Sequence, residues 1–323
     1  MLLTPLLLFV GISAQRPILP QKAPIVKSAS FAGEVARSIA SIPLPQEKIT
    51  VNRDNTVTIC DRGKTVRVKV TPDHLPTVNE AFIGKDGSIA LLRVTPFDSG
   101  GYYHQMIRNH GREKEILIKG CKPTLMAYRD AKNYVGSFFE VVGFHEYPAS
   151  EPTAFAVING KTKLLGPGSP QKVWGLTEMV VEIPVDADGI PCGRETFNRD
   201  VLRVYSKGRT FDLGSYDFIG SAADRTITVW KKPVVARWRA GKWIEAWRLP
   251  VGWTPVATNP KGEVLLRNLG SDERSEADWQ SAILNQGRMA KLRFTRPPKT
   301  GHLLWRETRA FRDDGTILFT AFY

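Results

Sequence analysis

Short apolar runs separated by glycine turns recur along most of this chain, and their recurrence constrains the fold more than any other feature. From Ile49 onward, runs rich in Val, Ile, Thr, Phe, Tyr and Trp alternate with Asn, Asp and Gly turns. Runs of this kind, bounded by turn residues, are typical of consecutive β-hairpins. Few stretches carry convincing helical periodicity. The sequence therefore predicts an all-β protein.

The hairpins fall into two alternating types. In the first type a turn Gly is followed by a basic or polar residue. Six segments fit it: residues 57–70, 103–118, 153–165, 201–213, 234–247 and 279–294. In the second type a short apolar strand turns at an Asp or Asn and leaves on another apolar strand. Six segments fit that pattern: residues 79–94, 125–142, 180–192 (turning at Asp188-Gly189), 216–230, 253–269 and 308–322.

One hairpin of each type makes a unit of four strands and about 46 residues, and four strands in about 40–50 residues is the period of a β-propeller blade. The region begins with a first-type hairpin and ends with a second-type hairpin. Pairing of residues 317–323 with residues 57–70 would therefore close a ring and remove an exposed sheet edge. We predict a six-bladed β-propeller over residues 49–323, closed by its N- and C-terminal strands. A β-sandwich or tandem small β-domains also give serial hairpins and stay open as alternatives.

The first 48 residues differ from the hairpin region. Residues 2–12 are almost entirely apolar, and small residues follow at positions 13 and 14. An apolar run of this length fits a secretory signal and is too short to span a bilayer. We assign residues 1–14 to a signal peptide, although no Lys or Arg precedes the run. Residues 15–48 are rich in proline and are interpreted as a linker or an arm lying on the main body, with residues 31–39 forming about two or three helical turns.

Several units resemble the HAF-type repeats of bacterial extracellular proteins. In that pattern an Ala-Phe or Ala-Trp strand leads to an Asn-Gly or Asp-Gly turn, and a strand resembling Val-Val-Gly follows. The matching segments are Val141-Val-Gly-Phe-His145, Thr153-Ala-Phe-Ala-Val-Ile-Asn-Gly160 and Arg309-Ala-Phe-Arg-Asp-Asp-Gly315. The resemblance implies a propeller-like fold and an extracellular or periplasmic location. It brings no catalytic residues with it.

The charge balance favours acidic partners. Lys and Arg number 45 against 32 Asp and Glu, which gives a net charge of +13 and a pI near 9.7. For an exported protein the expected partner is an acidic polysaccharide or another envelope component, and we expect no nucleic acid, no transmembrane segment and a monomer. A positive surface that only keeps the protein soluble is the alternative. The cysteines Cys60, Cys121 and Cys192 lie on different units, so we expect no structural disulfide.

The most distinctive local segment is the hairpin at 234–247. Trp238 and Trp243 flank its turn and should face each other across the strands, next to basic residues. Indole rings beside cations can stack on sugars, which makes the following residues candidate ligand contacts: Arg237, Trp238, Arg239, Lys242 and Trp243. A cross-strand aromatic pair also stabilises a hairpin by about 0.2–1 kcal/mol, so packing alone explains the same residues.

A search for catalytic and cofactor motifs finds no phosphate-binding loop, no zinc-binding helix and no nucleophile elbow. We therefore expect no cofactor and no metal site. In propellers the inner strands line a central channel, and the candidates for its mouth are Glu80, Tyr216, Asp217, Trp253, Glu307 and Arg309. Two hypotheses follow: a non-catalytic binding or scaffold protein of the cell envelope, and a saccharide hydrolase or lyase that uses paired carboxyls at the channel mouth.

Overall fold

A computed structural model describes residues 18–42, 49–51, 56–61, 64–69, 77–95, 102–109, 112–139, 151–193, 196–268, 280–294 and 304–322. Within these residues the protein is built from strands and turns, without helix. The prediction of an all-β protein is confirmed. The arrangement follows from short β-branched and aromatic runs that are separated by residues able to turn.

The described residues begin with four strands that we call the arm: β1 (Ile18–Pro20), β2 (Val26–Ser28), β3 (Ser30–Arg37) and β4 (Ile39–Ile42). Sheets 1 to 3 follow in chain order. Sheet 1 contains β5 (Ile49–Val51), β6 (Thr56–Asp61) and β7 (Lys64–Lys69). Sheet 2 contains β8 (Thr77–Ile83), β9 (Ile89–Thr95), β10 (Tyr102–Asn109) and β11 (Arg112–Glu115). Sheet 3 contains β12 (Thr124–Asp130), β13 (Asn133–Phe138), β14 (Thr153–Ile158) and β15 (Lys161–Pro167).

The second half of the chain continues the series. Sheet 4 contains β16 (Ser169–Gly175), β17 (Glu178–Val185), β18 (Arg199–Ser206) and β19 (Arg209–Gly214). Sheet 5 contains β20 (Asp217–Ser221), β21 (Ile227–Lys231), β22 (Val234–Arg239) and β23 (Lys242–Arg248). Sheet 6 contains β24 (Trp253–Thr258), β25 (Val264–Asn268), β26 (Gln280–Asn285) and β27 (Arg288–Phe294). Sheet 7 contains β28 (Leu304–Phe311) and β29 (Ile317–Phe322).

Inside each sheet, every strand pairs antiparallel with the next strand along the chain. All six first-type hairpins are confirmed as paired strands, and so are five of the six second-type hairpins. At residues 180–192 the predicted turn is present, but only an isolated antiparallel bridge between Val185 and Pro191 forms in place of a second paired strand. β17 pairs with β16 before it and with β18 after it, and Asp188-Gly189 belongs to a local turn in which the Asp186 amide donates to the Ile190 carbonyl at 3.0 Å.

The arm adds a parallel strand to the outer edge of four successive sheets. β1 pairs with β19, β2 with β23, β3 with β27 and β4 with β29. The expected helical turns at residues 31–39 are therefore wrong, because Ser30–Arg37 is extended along β27. Pairing with an exposed sheet edge supplies the backbone hydrogen bonds that a helix would otherwise have to provide.

The sheet count and the closure differ from the prediction of six blades. The described residues form seven sheets. The pairing expected between residues 317–323 and residues 57–70 is not confirmed, because β29 has β28 on one side and β4 on the other. Strand β4 of the arm occupies the edge of β29 at which residues 57–70 were expected to pair. Sheet 1 and sheet 7 are consequently separate sheets.

The hydrophobic core consists of clusters between consecutive sheets. One cluster joins sheets 1 and 2, and others join sheets 2 and 3, 3 and 4, 4 and 5, 5 and 6, and 6 and 7. The first strands also contact each other in order, from β5 to β8, then β12, β16, β20, β24 and β28. Each sheet thus packs face to face with its neighbours in the chain, with its first strand nearest the first strand of the next.

Each four-stranded sheet has two different ends. Because its first and third strands run in the same direction, the first and third turns lie at one end, which we call the turn end; the opposite end is the loop end. In sheet 3 these two turns meet, where the Gly160 amide donates to the Lys132 carbonyl at 2.9 Å. Turn ends of neighbouring sheets meet as well, since the Ala223 amide of sheet 5 donates to the Pro260 carbonyl of sheet 6 at 2.8 Å.

Candidate functional site

A row of basic residues follows the turns that connect the last two strands of sheets 1 to 6, which we call the outer turns. The residue after the turn Gly is basic in all six first-type hairpins, and it begins the last strand of sheets 1 to 6: Lys64, Arg112, Lys161, Arg209, Lys242 and Arg288. We call these residues the cation row. Five of their side chains are exposed, and that of Arg112 lies outside the described part of the structure. Their common register places one basic residue at the turn end of each of sheets 1 to 6.

The outer turns have the backbone geometry that makes this placement regular. Asn159, Lys207, Ala240 and Gln286 have positive φ values of 51°, 46°, 49° and 47°, and each is followed by a glycine with positive φ. Two successive residues with positive φ are the signature of the two-residue turn whose twist matches that of the flanking strands. The next residue therefore opens the outer strand in the same way in each sheet.

The hairpin predicted to bind a ligand is largely used for packing. Trp238 is 2% exposed, its ring centroid lies 5.2 Å from that of Phe211, and its indole Nε1 donates to Gln21 Oε1 of the arm at 3.2 Å. Arg237 is half-buried and donates to Glu245 Oε1 at 2.7 Å. A buried indole and an internally paired guanidinium are not available to a ligand. Arg237 and Trp238, two of the predicted ligand contacts, therefore have partners within the protein.

The other three residues of that hairpin differ in exposure. Trp238 and Trp243 are register partners, as the sequence predicts, but Trp243 is half-buried, with its ring centroid 5.2 Å from that of Tyr216. Arg239 is exposed and donates to Asp224 Oδ2 at 2.5 Å. Lys242 is exposed and belongs to the cation row. Of the five predicted contacts, Arg239 and Lys242 present exposed cations.

The channel-mouth candidates do not come together as one site in the described residues. Trp253 is 6% exposed and packs in the core between sheets 5 and 6. Tyr216 packs between sheets 4 and 5, where burial raises its pKa. Asp217 is exposed at the start of β20. The side chains of the remaining candidates lie outside the described part: Glu80, Glu307 and Arg309.

Asp217 instead belongs to a group of three carboxyls at the loop end of sheets 4 and 5. Glu182 lies opposite Leu202 in the sheet and Asp200 lies opposite Pro184, so the two acids are diagonal neighbours on one face, within reach of each other. Burial raises the pKa of Glu182, and Asp200 and Asp217 add to the shift by like-charge repulsion. Burial and then Asp217 raise the pKa of Asp200 as well.

Sequence reasoning missed Glu182 and Asp200. The signal that finds them is strand register, since both have the same alternation as the inward-facing Val180, Leu202 and Val204, which pack between sheets 4 and 5. A carboxyl at the end of such a stripe is partly taken out of water, and its neutral form is favoured. Gln171 Nε2 donates to Glu182 Oε2 at 2.8 Å and fixes the orientation of that carboxyl.

Metal ligands and thiols are the remaining reactive groups. Among the residues that the structure describes, no group of three or more His, Cys, Asp or Glu side chains is placed to hold a metal ion. The three cysteines are unpaired, with Cys60 exposed, Cys121 half-buried and Cys192 buried. Over the same described residues, no helix is long and apolar enough to cross a membrane.

Comparisons with known proteins give weak likenesses. No protein-family model matches the sequence, and a search of curated proteins found no match. Among solved structures, the Pyrococcus horikoshii acylaminoacyl peptidase is 13% identical with a TM-score of 0.45, covering 84% of this chain and 46% of the peptidase. The β-propeller domain of the Trilobed protease from Pyrococcus furiosus is 14% identical with a TM-score of 0.42, covering 91% of both chains. The chain spans less than half of the first of these proteins, and likenesses this weak assign neither a family nor an activity.

Proposed function

We propose that this chain is an exported, non-catalytic β-propeller whose turn end binds acidic polysaccharide of the cell envelope. The propeller arrangement is supported by the core clusters between all consecutive sheets and by the contacts between successive first strands. Sheets that pack face to face with their first strands innermost have this pattern. In this arrangement the seven sheets are blades, and sheet 7 lies beside sheet 1.

Small-angle X-ray scattering tests the arrangement, because a ring of blades is a compact disc whereas an unclosed series of sheets is extended.

The resemblance to HAF-type repeats and the signal-like residues 1–14 support export. Amino-terminal sequencing of the protein recovered outside the cytoplasm should begin near residue 15. An intact Met1 on that protein would contradict removal of a signal peptide.

The cation row is the observation that carries the proposed binding. Its five described side chains are exposed, its residues recur in consecutive sheets, and they lie on one face of the proposed ring. A linear polyanion can contact several such charges at once, so weak individual contacts add up through a high effective concentration. Single exposed ion pairs are worth only about 0–1 kcal/mol, which is why the repetition matters more than any one residue.

The test is retention on an immobilised uronic-acid or sulfated polysaccharide. Wild-type protein should elute at a higher salt concentration than a variant that carries Lys161→Gln, Arg209→Gln and Lys242→Gln. Salt should weaken the interaction steeply, because exposed charges are screened within about 8 Å at physiological ionic strength.

The matched control removes three exposed charges away from the cation row, at Lys27, Lys172 and Lys231, each changed to Gln. Both variants lose the same net charge. If both elute at the same salt concentration, binding depends on net charge and the cation row has no special role. If wild-type protein is not retained at low salt, the proposed binding is wrong.

A second candidate function is that of a saccharide hydrolase or lyase. The carboxyl groups of Glu182, Asp200 and Asp217 favour it. Glycoside hydrolysis uses two carboxyl groups, one of which stays protonated because its pKa is raised. The raised pKa values of Glu182 and Asp200 beside exposed Asp217 fit that requirement. Release of reducing ends from polysaccharide by wild-type protein, and its loss in Glu182→Gln and in Asp217→Asn, would establish the enzyme; no release by wild-type protein rejects it.

A further inference from the structure

A groove lies at the loop end of sheet 4, on the opposite face of that sheet from the three carboxyls. It encloses about 260 Å³. Its floor is aliphatic and consists of Ile183, Val185 and Val201, with Pro191 forming one wall. Side chains alternate between the two faces of a strand, so these residues point away from Glu182 and Asp200. The groove is also at the far end of β18 and β19 from Arg209, and hence from the cation row.

Two arginines and one aspartate supply the charge of the groove, and Ser215 adds a hydroxyl. Arg203 is mostly buried and its Nη2 lies 3.4 Å from Asp212 Oδ2. Asp212 Oδ1 accepts from the Gly214 amide at 2.9 Å, which fixes the carboxylate against the backbone. Arg199 is exposed at the start of β18. With Arg203 balanced by Asp212, the described lining of the groove has a net charge of one positive unit, carried by Arg199.

The arginines are not saturated within the described part of the protein. The Arg203 guanidinium interacts with the Tyr205 side chain, but its Nε is buried without a hydrogen-bond partner among the described residues, and its 3.4 Å contact with Asp212 is long for a charge-assisted hydrogen bond. Arg199 takes part in none of the ion pairs found among the described residues. Unsatisfied polar groups in a concave site with an apolar floor are the usual features of a small-molecule pocket.

We propose that this groove binds a singly charged sugar acid, with the ligand carboxylate on Arg199 and its hydroxyls on Asp212 and Ser215. The net charge selects one anionic group, because a second would face Asp212 without a counter-charge. The aliphatic floor suits the apolar face of a sugar ring, and the volume admits one ring. The groove is independent of the cation row, since it uses none of the same residues.

The experiment is titration calorimetry of the full chain with D-glucuronate. Wild-type protein should bind it, D-glucose should bind at least tenfold more weakly because it lacks the carboxylate, and acetate should bind more weakly because it lacks the hydroxyls. Arg199→Gln should lower the affinity for glucuronate at least tenfold. Arg199 is exposed, so this variant should keep the wild-type melting temperature. A trisaccharide with one terminal glucuronate on two neutral sugars carries a single carboxylate. Tighter binding of this trisaccharide than of free glucuronate would identify a chain end as the ligand, and equal or weaker binding would identify the free acid.

The matched control is Lys172→Gln, which removes an exposed positive charge of sheet 4 that belongs to neither the groove nor the cation row, and it should bind glucuronate like wild-type protein. Absence of glucuronate binding to wild-type protein, equal affinity for glucose or acetate, or unchanged affinity in Arg199→Gln would each overturn the proposal. Polysaccharide retention of Arg199→Gln separates the two proposals: retention should be that of wild-type protein, because the cation row is intact.

Discussion

Gln21 joins the arm to two sheets at once. A double-mutant cycle can measure the coupling free energy between Gln21 and Trp238. Its backbone amide donates to the Asp212 carbonyl of sheet 4 at 3.1 Å, whereas its side-chain Oε1 accepts from the indole Nε1 of Trp238 in sheet 5 at 3.2 Å. Gln21→Leu keeps the size of the side chain but leaves the indole N–H buried without its acceptor. An unsatisfied buried donor costs about 1–3 kcal/mol. We expect this variant to lower the free energy of unfolding by that amount.

The cycle adds Trp238→Phe alone and combined with Gln21→Leu. Trp238→Phe removes the donor and part of a fully packed ring, so it should destabilise the protein by less than the about 3–5 kcal/mol that truncation of a core Trp to Ala costs. Once the donor is gone, Gln21→Leu has little left to remove, and the double variant should be about 1 kcal/mol more stable than the sum of the single effects. Urea unfolding followed by circular dichroism measures all four proteins.

The control for the cycle is Lys22→Leu, an exposed neighbour of Gln21 on the arm. Its effect should add to that of Trp238→Phe without coupling. A coupling energy for the Gln21–Trp238 pair within about 0.3 kcal/mol of zero would refute the reasoning, because it would show that the arm does not engage the indole in solution.

Two further predictions concern close packing and pH. Gly136→Ala should lower the melting temperature severely, because a Cβ there would clash with the Thr124 carbonyl oxygen. The control is Gly175→Ala, also in a strand: a Cβ at Gly175 would have its nearest neighbour at 3.7 Å, so the melting temperature should change little. Burial raises the folded-state pKa of Glu182, so its protonated form stabilises the fold; this contribution is fully present below the ordinary carboxyl pKa of 4.5 and is lost as the pH rises through the folded value. Glu182→Gln should therefore raise the melting temperature at pH 7 and flatten its decline between pH 4 and 7, and an unchanged pH profile would contradict the assignment of a buried carboxyl.

Local hairpins could be predicted because their determinants are local. A glycine that accepts positive φ, flanked by alternating apolar residues, defines a turn and the two strands beside it. All six first-type hairpins pair as the sequence indicates. At residues 180–192 the same reasoning failed, since the Asp188-Gly189 turn exists but the partner of β17 precedes it in the chain. Turn residues specify where a chain reverses and do not specify which strand it then pairs with.

The candidate site likewise has residues that the sequence identifies and residues that it does not. The basic residues after the turns could be identified directly, and Asp217 was identified without its neighbours Glu182 and Asp200. The sequence makes Trp238 a candidate either for ligand binding or for packing, because aromatic and basic residues occur together both in binding sites and in packed hairpins. Only the arm, more than 200 positions earlier in the sequence, shows that its N–H already has an acceptor in Gln21.

The sequence by itself determined the strands, the turns between them and the charge that follows each outer turn, because these depend on residues a few positions apart. The tertiary structure alone decided that the arm is extended, that sheets 1 and 7 are separate, and that a groove with Arg199 and Asp212 opens on sheet 4. The physical reason is that a sheet edge offers the same backbone donors and acceptors whatever its sequence. Competition among distant segments for that edge therefore settles which strand is added to which sheet.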